Sequence, residues 1–367
     1  MTQTFEIAVI GAGMAGASIA AELCGHASVL LAEGEAHPGY HTTGRSAAFW
    51  EECYGGPQIV PLTLASGDYL REGGFLAPRG ALYVARAGDE ARVQAFIDDF
   101  AGTGVTIERV GRAALETMLP GVRAGWDHAI AEPNCADIDV AGLHQHYLTR
   151  AKAGGAALRT HHQLRCAERE GDGWRLDFGS AGEARANILV NAAGAWADDL
   201  AKICGARPLG ITPLRRTVAQ VRTDPVAPAH LPLVLDLGGK FYFKPEGGRL
   251  WVSPHDETPS QPCDAAPEEI DVALAIDRFE RVVDWRVLAV ERKWAGLRSF
   301  APDRLPVYGY DTEVQGLFWC AGQGGFGIQT APAGARLAAQ LLLGQDRDAM
   351  TASIDASMYG PARFSPV

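Results

Sequence analysis

The segment Gly11-Ala-Gly13-Met-Ala-Gly16 lies between an apolar run and an Ala-rich stretch, and no other feature restricts the fold as tightly. Residues 5–10 read as a buried strand, 14–24 as a helix and 28–33 as a second strand. Gly11 permits a tight turn. Gly13 lets backbone N–H groups approach a pyrophosphate, and Gly16 lets the helix pack closely on the strand. Glu33 ends the second strand, twenty residues after Gly13. A carboxylate at that place accepts hydrogen bonds from both ribose hydroxyls and disfavours a 2′-phosphate. In this strand–turn–helix context the motif is specific for a dinucleotide. Glu35, a rival for the ribose, lies past the strand end and reads as a solvated loop carboxylate.

The remaining chain divides by pattern. Helices are expected at 61–72, 89–100, 140–152, 267–284 and 329–343. Short strands are expected at 80–85, 188–190, 240–244, 250–252 and 317–320, and residues 212–221 alternate like a strand with one buried face. Both ends look like an α/β layer, whereas the middle alternates like an antiparallel sheet. The expected architecture is an α/β dinucleotide-binding domain built from 1–79, 140–210 and 285–367, with an inserted sheet domain of 80–139 and 211–284. A chain of 367 residues suits two lobes.

Charge and cysteine usage narrow the function. A net charge of −11 disfavours nucleic acid as a partner. Seven cysteines, none in a CxxC pair, support neither a disulfide framework nor a zinc site. The N-terminus shows no signal peptide and no run reaches membrane-span length. The expectation is a cytoplasmic enzyme with, at most, peripheral contact at the inner membrane.

Two further segments extend the nucleotide site. His41-Thr-Thr-Gly-Arg45-Ser-Ala-Ala-Phe49 combines hydroxyls and small residues that let a backbone line a flavin and its diphosphate, with Arg45 offsetting negative charge. Gly322-Gln-Gly-Gly-Phe-Gly327 precedes a helix, and such N–H-rich turns suit a second anionic or carbonyl target. An NAD dehydrogenase has no need of that distant turn. Together with Pro38-Gly-Tyr-His41, Ala136-Asp-Ile-Asp139, Asn191-Ala-Ala-Gly-Ala-Trp196 and Trp294-Ala-Gly-Leu-Arg298, these segments resemble the glycine/D-amino-acid oxidase superfamily of FAD enzymes nearly end to end. The resemblance is greatest to bacterial FAD-dependent D-arginine dehydrogenases.

That resemblance implies non-covalent FAD. Its contacts would be Gly11, Gly13, Ala15, Gly16, Glu33, Thr42, Thr43, Gly44, Arg45, Ser46, Ala47, Ala48, Phe49, the backbone near Leu164, and Gly325, Phe326, Gly327, Ile328, Gln329 and Thr330. Cys320 reads as a buried, inert thiol. For substrate, the resemblance implies a carboxylate held by Arg298 and Arg216, with Tyr54 and Tyr242 beside it, the Gly296 carbonyl accepting from the amine, and Gly325 nearby. Independently, an Arg in the apolar segment around 298 needs a partner, and a structural ion pair is the other reading of it. Alternation places Arg216 on one strand face with Val218 and Gln220, and Arg215 on the other.

Two departures bear on the side chain. The acid that reads a basic substrate is replaced here by Ala81, and a flavin-side His by Phe49. The expected pocket is therefore apolar and the expected substrate a neutral or apolar D-amino acid, unless Glu51 or Glu52 replaces the acid. The implied reaction is hydride transfer from Cα to flavin N5, then hydrolysis of the imino acid to a 2-oxo acid and ammonia. No side-chain base is evident. A secondary-amine (sarcosine-type) or 2-hydroxy-acid oxidoreductase on the same fold, a flavin-bearing interaction subunit and an NAD-dependent dehydrogenase are the alternatives. Either oxygen or a quinone-type acceptor fits.

Overall fold

The computed structural model describes residues 2–364; residues 1 and 365–367, at the ends of the expected nucleotide-binding division, lie outside the described residues. The first unit is strand β1 (Gln3–Ile10), helix α1 (Met14–Leu23) and strand β2 (Val29–Ala32). The two strands pair in parallel, as a crossover helix requires. β1 then pairs in parallel with Glu183–Asn191, which pairs in parallel with Leu317–Ala321. The antiparallel strands Cys166–Glu170, Gly173–Asp177 and Val307–Tyr310 complete this eight-stranded sheet with Ala157–Arg159. α1 packs with Val140–Ala153 and Ala331–Leu343 on one face, around Ile19, Leu31, Tyr147 and Leu337. Trp174, Leu200 and Trp319 fill the other face.

The second sheet has ten strands and is antiparallel except where Leu233–Asp236 meets Ala81–Ala85. Its longest pairing joins Thr212–Asp224 to Arg286–Phe300. Arg286–Phe300 therefore belongs to this sheet, although the expected border at 285 assigns it to the nucleotide-binding part. Its outer half carries Glu291-Arg-Lys293 and is mostly exposed, so alternation does not announce a strand there. A small third sheet joins Phe49–Trp50 and Leu76–Pro78 through Ala136–Ile138. It ties the loop after β2 to the middle of the chain. All seven cysteines are free, and no described helix is long and apolar enough to cross a membrane.

Candidate active site

The main cavity runs from the β1–α1 turn to the inner face of the ten-stranded sheet and encloses about 1530 Å³, its open mouth included. At the first end Gly11 adopts φ +100°, open to glycine at little strain. A Cβ on Gly16 would overlap the Gly11 carbonyl, so Gly16 sets the helix–strand approach from behind the cavity wall. Glu33 accepts the Ala12 amide at 2.8 Å and the Glu35 amide at 3.0 Å, which fixes its carboxylate at the strand end. Thr43 accepts the Met14 amide at 3.0 Å and so joins the second loop to the start of α1.

Most of the expected contacts line this cavity. Gly11, Gly13, Ala15 and Glu33 form the first end, and Thr42, Thr43 and Arg45 to Phe49 form one wall. Gly325, Gly327 and Ile328 face it from the C-terminal turn. Gly44 does not line it; its amide donates to the Gly39 carbonyl inside a 3₁₀ turn. Leu164 and Phe326 are core residues, while Gln329 and Thr330 are buried brace points. Arg45 faces the cavity, yet its guanidinium is held by Asp264 and by the Ala265 carbonyl at 2.8 Å, over the Tyr40 ring. It is not a free cation for a diphosphate. Cys320 lies off the cavity, and burial pushes its thiol up to about 12.

At the inner end Arg216 and Arg298 come together. Each is 8% exposed. Arg216 and Val218 line the cavity, while Arg215 on the opposite face pairs with Glu268 and Asp271. Arg216 Nε donates to the Asp256 carbonyl at 2.8 Å. Arg298 Nη1 donates to the Tyr54 hydroxyl at 2.6 Å, and Nη2 to Glu257 at 2.8 Å. Arg216 Nη2 and Arg298 Nε have no hydrogen-bond partner. Both guanidinium groups are ion-paired to Glu257, Arg216 Nη2 at 3.6 Å and Arg298 Nη2 at 2.8 Å, and a buried donor without a hydrogen bond is costly. Tyr54 and Tyr242 flank the pair, and burial pushes both phenols up to about 12, which keeps them protonated donors. Gly296 stands opposite Arg216 in the strand register and lines the cavity. A Cβ on Gly325 would overlap the Tyr54 hydroxyl and reach within 2.6 Å of Arg298 Nη1. Gly325→Ala is therefore expected to raise KM about tenfold or more by displacing Tyr54, read by steady-state kinetics on the FAD-replete enzyme.

Three residues change the expected picture. Ala81 makes no wall of this cavity: it is 1% exposed, inside a core cluster with Cys53, Val60 and Tyr83. The pocket is therefore not enlarged at that position. Glu52 is also off the cavity, with its carboxylate accepting from the Thr106 amide at 2.8 Å and Asn134 at 3.1 Å. Glu51 lines the cavity. Burial, reinforced by Glu132, holds its carboxyl well above the usual range. A carboxyl raised in the folded state lends stability that is full below its unfolded pKa and is lost as pH rises through the folded value. Glu51→Gln is thus expected to match the wild type near pH 4.5 and to exceed it increasingly as pH rises above that. The gain is roughly 1.4 kcal/mol per pH unit until the folded pKa is reached, measured by denaturation across pH.

His255 also faces the cavity, and sequence gave no signal for it because it lies in an irregular turn at φ +55°. Its Nδ1 lies 2.6 Å from the Gly239 carbonyl. Burial and Arg216 lower its pKa to about 3, so the ring is neutral and Nε2 is left as an acceptor. The stretch from Ala192 to Trp196 lines the cavity too, with Trp196 packed against His41 at 4.7 Å.

A dinucleotide turn beside a sheet-walled cavity with two buried arginines at its inner end is the arrangement of a dinucleotide-dependent oxidoreductase. The family model for FAD dependent oxidoreductases (DAO) matches residues 6–341, and the chain belongs to that family. The chain is 28% identical over 256 residues to a glycine oxidase of Pseudomonas aeruginosa, covering 66% of this chain and 65% of that protein. It is 26% identical over 360 residues to a glycine oxidase of Geobacillus kaustophilus, covering 93% and 94%. The chain thus spans slightly under two thirds of the first relative and nearly all of the second. Among solved structures, L-proline dehydrogenase from P. horikoshii superposes with TM-score 0.85 at 22% identity over 99% and 98% of the chains. Glycine oxidase from Geobacillus kaustophilus superposes with TM-score 0.83 at 23% over 99% of both. These confirm the α/β fold. The cofactor is FAD, and the open glycine turn, the fixed Glu33 and the small-residue wall of Ser46, Ala47 and Ala48 fit it.

Proposed function

We propose that this chain oxidises a small amino acid, preferring the D form, to the 2-oxo acid and ammonia. The observation that carries the reading is the buried pair Arg216 and Arg298, each facing the cavity with a guanidinium nitrogen that makes no hydrogen bond. A planar guanidinium pair between two phenols suits a carboxylate better than a phosphate or a neutral amide. The D preference rests on the resemblance to D-arginine dehydrogenases in Tyr54, Arg216, Tyr242, Gly296 and Arg298.

In this reading FAD lies along Gly11, Gly13, Glu33 and the Thr42–Phe49 wall toward Gly325 and Ile328, and supplies the two-electron acceptor when bound. The eight-stranded sheet serves the cofactor and the ten-stranded sheet the substrate. Arg216 and Arg298 fix the carboxylate, Tyr54 and Tyr242 donate to it, and the Gly296 carbonyl orients the amine. Phe49, Val218 and Leu235 exclude water around the reacting carbon. His255, a neutral ring, lines the same space.

An anaerobic absorbance scan with D- and L-amino acids tests the proposal. Bleaching of the flavin band by D-amino acids supports it. A band left unchanged by all of them overturns it in favour of a secondary or tertiary amine. That second reading is favoured by 26% identity over 250 residues to mouse mitochondrial dimethylglycine dehydrogenase, covering 62% of this chain and 28% of that protein.

A further inference from the structure

A second cavity lies behind the wall of Ser46, Ala47 and Ala48. It encloses about 1270 Å³, its open mouth included, and those three residues line it as well as the main cavity. At that place the partition is a stretch of chain with short side chains. Apolar side chains, Phe75, Ile138 and Trp251 among them, make much of the remaining lining.

The charges of this cavity are engaged inside the protein. Lys244 is buried, donates to Asp137 at 2.7 Å and pairs with Glu246 at 2.9 Å. Arg79 pairs with the same Asp137, and Asp139 accepts the Gly142 amide at 2.9 Å as the cap of Val140–Ala153. Neither cation is left over for an anionic ligand, so the cavity suits an uncharged one. Trp251 stands edge-on to Trp294, with ring centroids 5.0 Å apart. Trp294 Nε1 donates to the Arg45 carbonyl at 2.9 Å, next to the shared wall. Trp251 Nε1 is buried and makes no hydrogen bond, and a donor left that way is costly. The geometry points to this cavity as the site of the electron acceptor, an uncharged carbonyl-bearing ring of the quinone class that accepts from Trp251 Nε1, with the Ser46–Ala48 wall between it and the flavin. The reaction there takes FADH2 and quinone to FAD and quinol: two electrons and two protons leave the flavin, and both C=O groups of the quinone become C–OH. Substrate and acceptor then enter by separate cavities. The inference rests on FAD lying along that wall, as placed above, and not on which amino acid reduces it.

Duroquinone is the probe, because every free ring carbon carries a methyl group and offers the exposed Cys263 thiol no open position. In holoenzyme reduced by a stoichiometric amount of dithionite and kept free of oxygen, duroquinone is expected to restore the flavin band. Ala77 and Ala229 line the cavity at exposed positions, so Ala77→Trp and Ala229→Trp fill it without disturbing the core. Each is expected to slow reoxidation by duroquinone by about tenfold or more, while reoxidation by oxygen keeps the wild-type rate. Trp251→Phe is expected to weaken the apparent affinity for duroquinone by about three- to tenfold, the worth of one hydrogen bond. A readout without turnover is the Tm of the oxidised holoenzyme, which duroquinone raises in the wild type and not in Ala77→Trp. Wild-type rates in both filled variants overturn the assignment, as does unchanged affinity in Trp251→Phe or an equal slowing with oxygen. If no amino acid bleaches the flavin but the filled variants still block duroquinone, the amino-acid reading fails and the acceptor site stands.

Discussion

Arg298→Ala is expected to lower kcat/KM for the carboxylate substrate by roughly 10²- to 10³-fold while leaving FAD content unchanged. Removing one partner of a buried, hydrogen-bonded charge pair costs about 2–5 kcal/mol, and each 1.4 kcal/mol is tenfold. The effect falls on substrate and not on folding because of how Arg298 is held. Glu257, its acidic partner, is also bound by Arg304 at 2.8 Å and is partly exposed, so truncation strands no buried acid. The Tyr54 hydroxyl loses a donor but keeps its ring packed edge-on against Phe326 at 6.0 Å. Arg298→Lys is expected to recover only part of the loss, since an ammonium cannot present two parallel donors. Unchanged kcat/KM in Arg298→Ala, measured by anaerobic flavin reduction, would falsify the carboxylate clamp.

Gly16→Ala is expected to act at the opposite end and on the whole cofactor site. The added methyl would overlap the Gly11 carbonyl, which is backbone and cannot rotate away. α1 must then lift from the strands it covers, and Gly11 itself is confined by Ala192 on its other side. Overpacking of this kind costs about 1–3 kcal/mol or more, and here it also opens the turn that meets the pyrophosphate. The purified variant should show a low ratio of flavin to protein absorbance and a lower Tm than the wild type. A yellow protein of wild-type stability would show that the helix has room to spare.

How much of this was legible in the sequence depends on how local each signal is. The β1–α1–β2 unit is read directly, because glycine spacing, periodicity and Glu33 all lie within one short stretch. The two faces around Arg215 and Arg216 follow from the two-residue period of a strand. Long-range partners left no local trace. Arg45 reads as a cation for phosphate until Asp264, more than two hundred residues away, claims it. Ala81 reads as a pocket residue by position along the chain, but its strand turns it into the core. Glu51 and Glu52 are adjacent and chemically equal in sequence; only the Thr106 backbone amide and the Asn134 side-chain amide, far along the chain, make Glu52 the hydrogen-bonded acid of the two. The charged half of Arg286–Phe300 hides a strand whose pairing comes from Thr212–Asp224, not from its own pattern.

The order of strands in the eight-stranded sheet has a consequence for how the molecule comes into being. β1 precedes every other described strand, yet the strand on one side of it is Glu183–Asn191, and beyond that lies Leu317–Ala321. Contacts between such distant segments carry a large chain-closure entropy and form late. A nascent chain emerging from the ribosome therefore holds a finished glycine turn long before the sheet edge beside it is covered. During synthesis that apolar edge is open to association with other chains, so expression at reduced temperature or with a chaperone present is expected to govern the yield of soluble protein more than any change inside the active site.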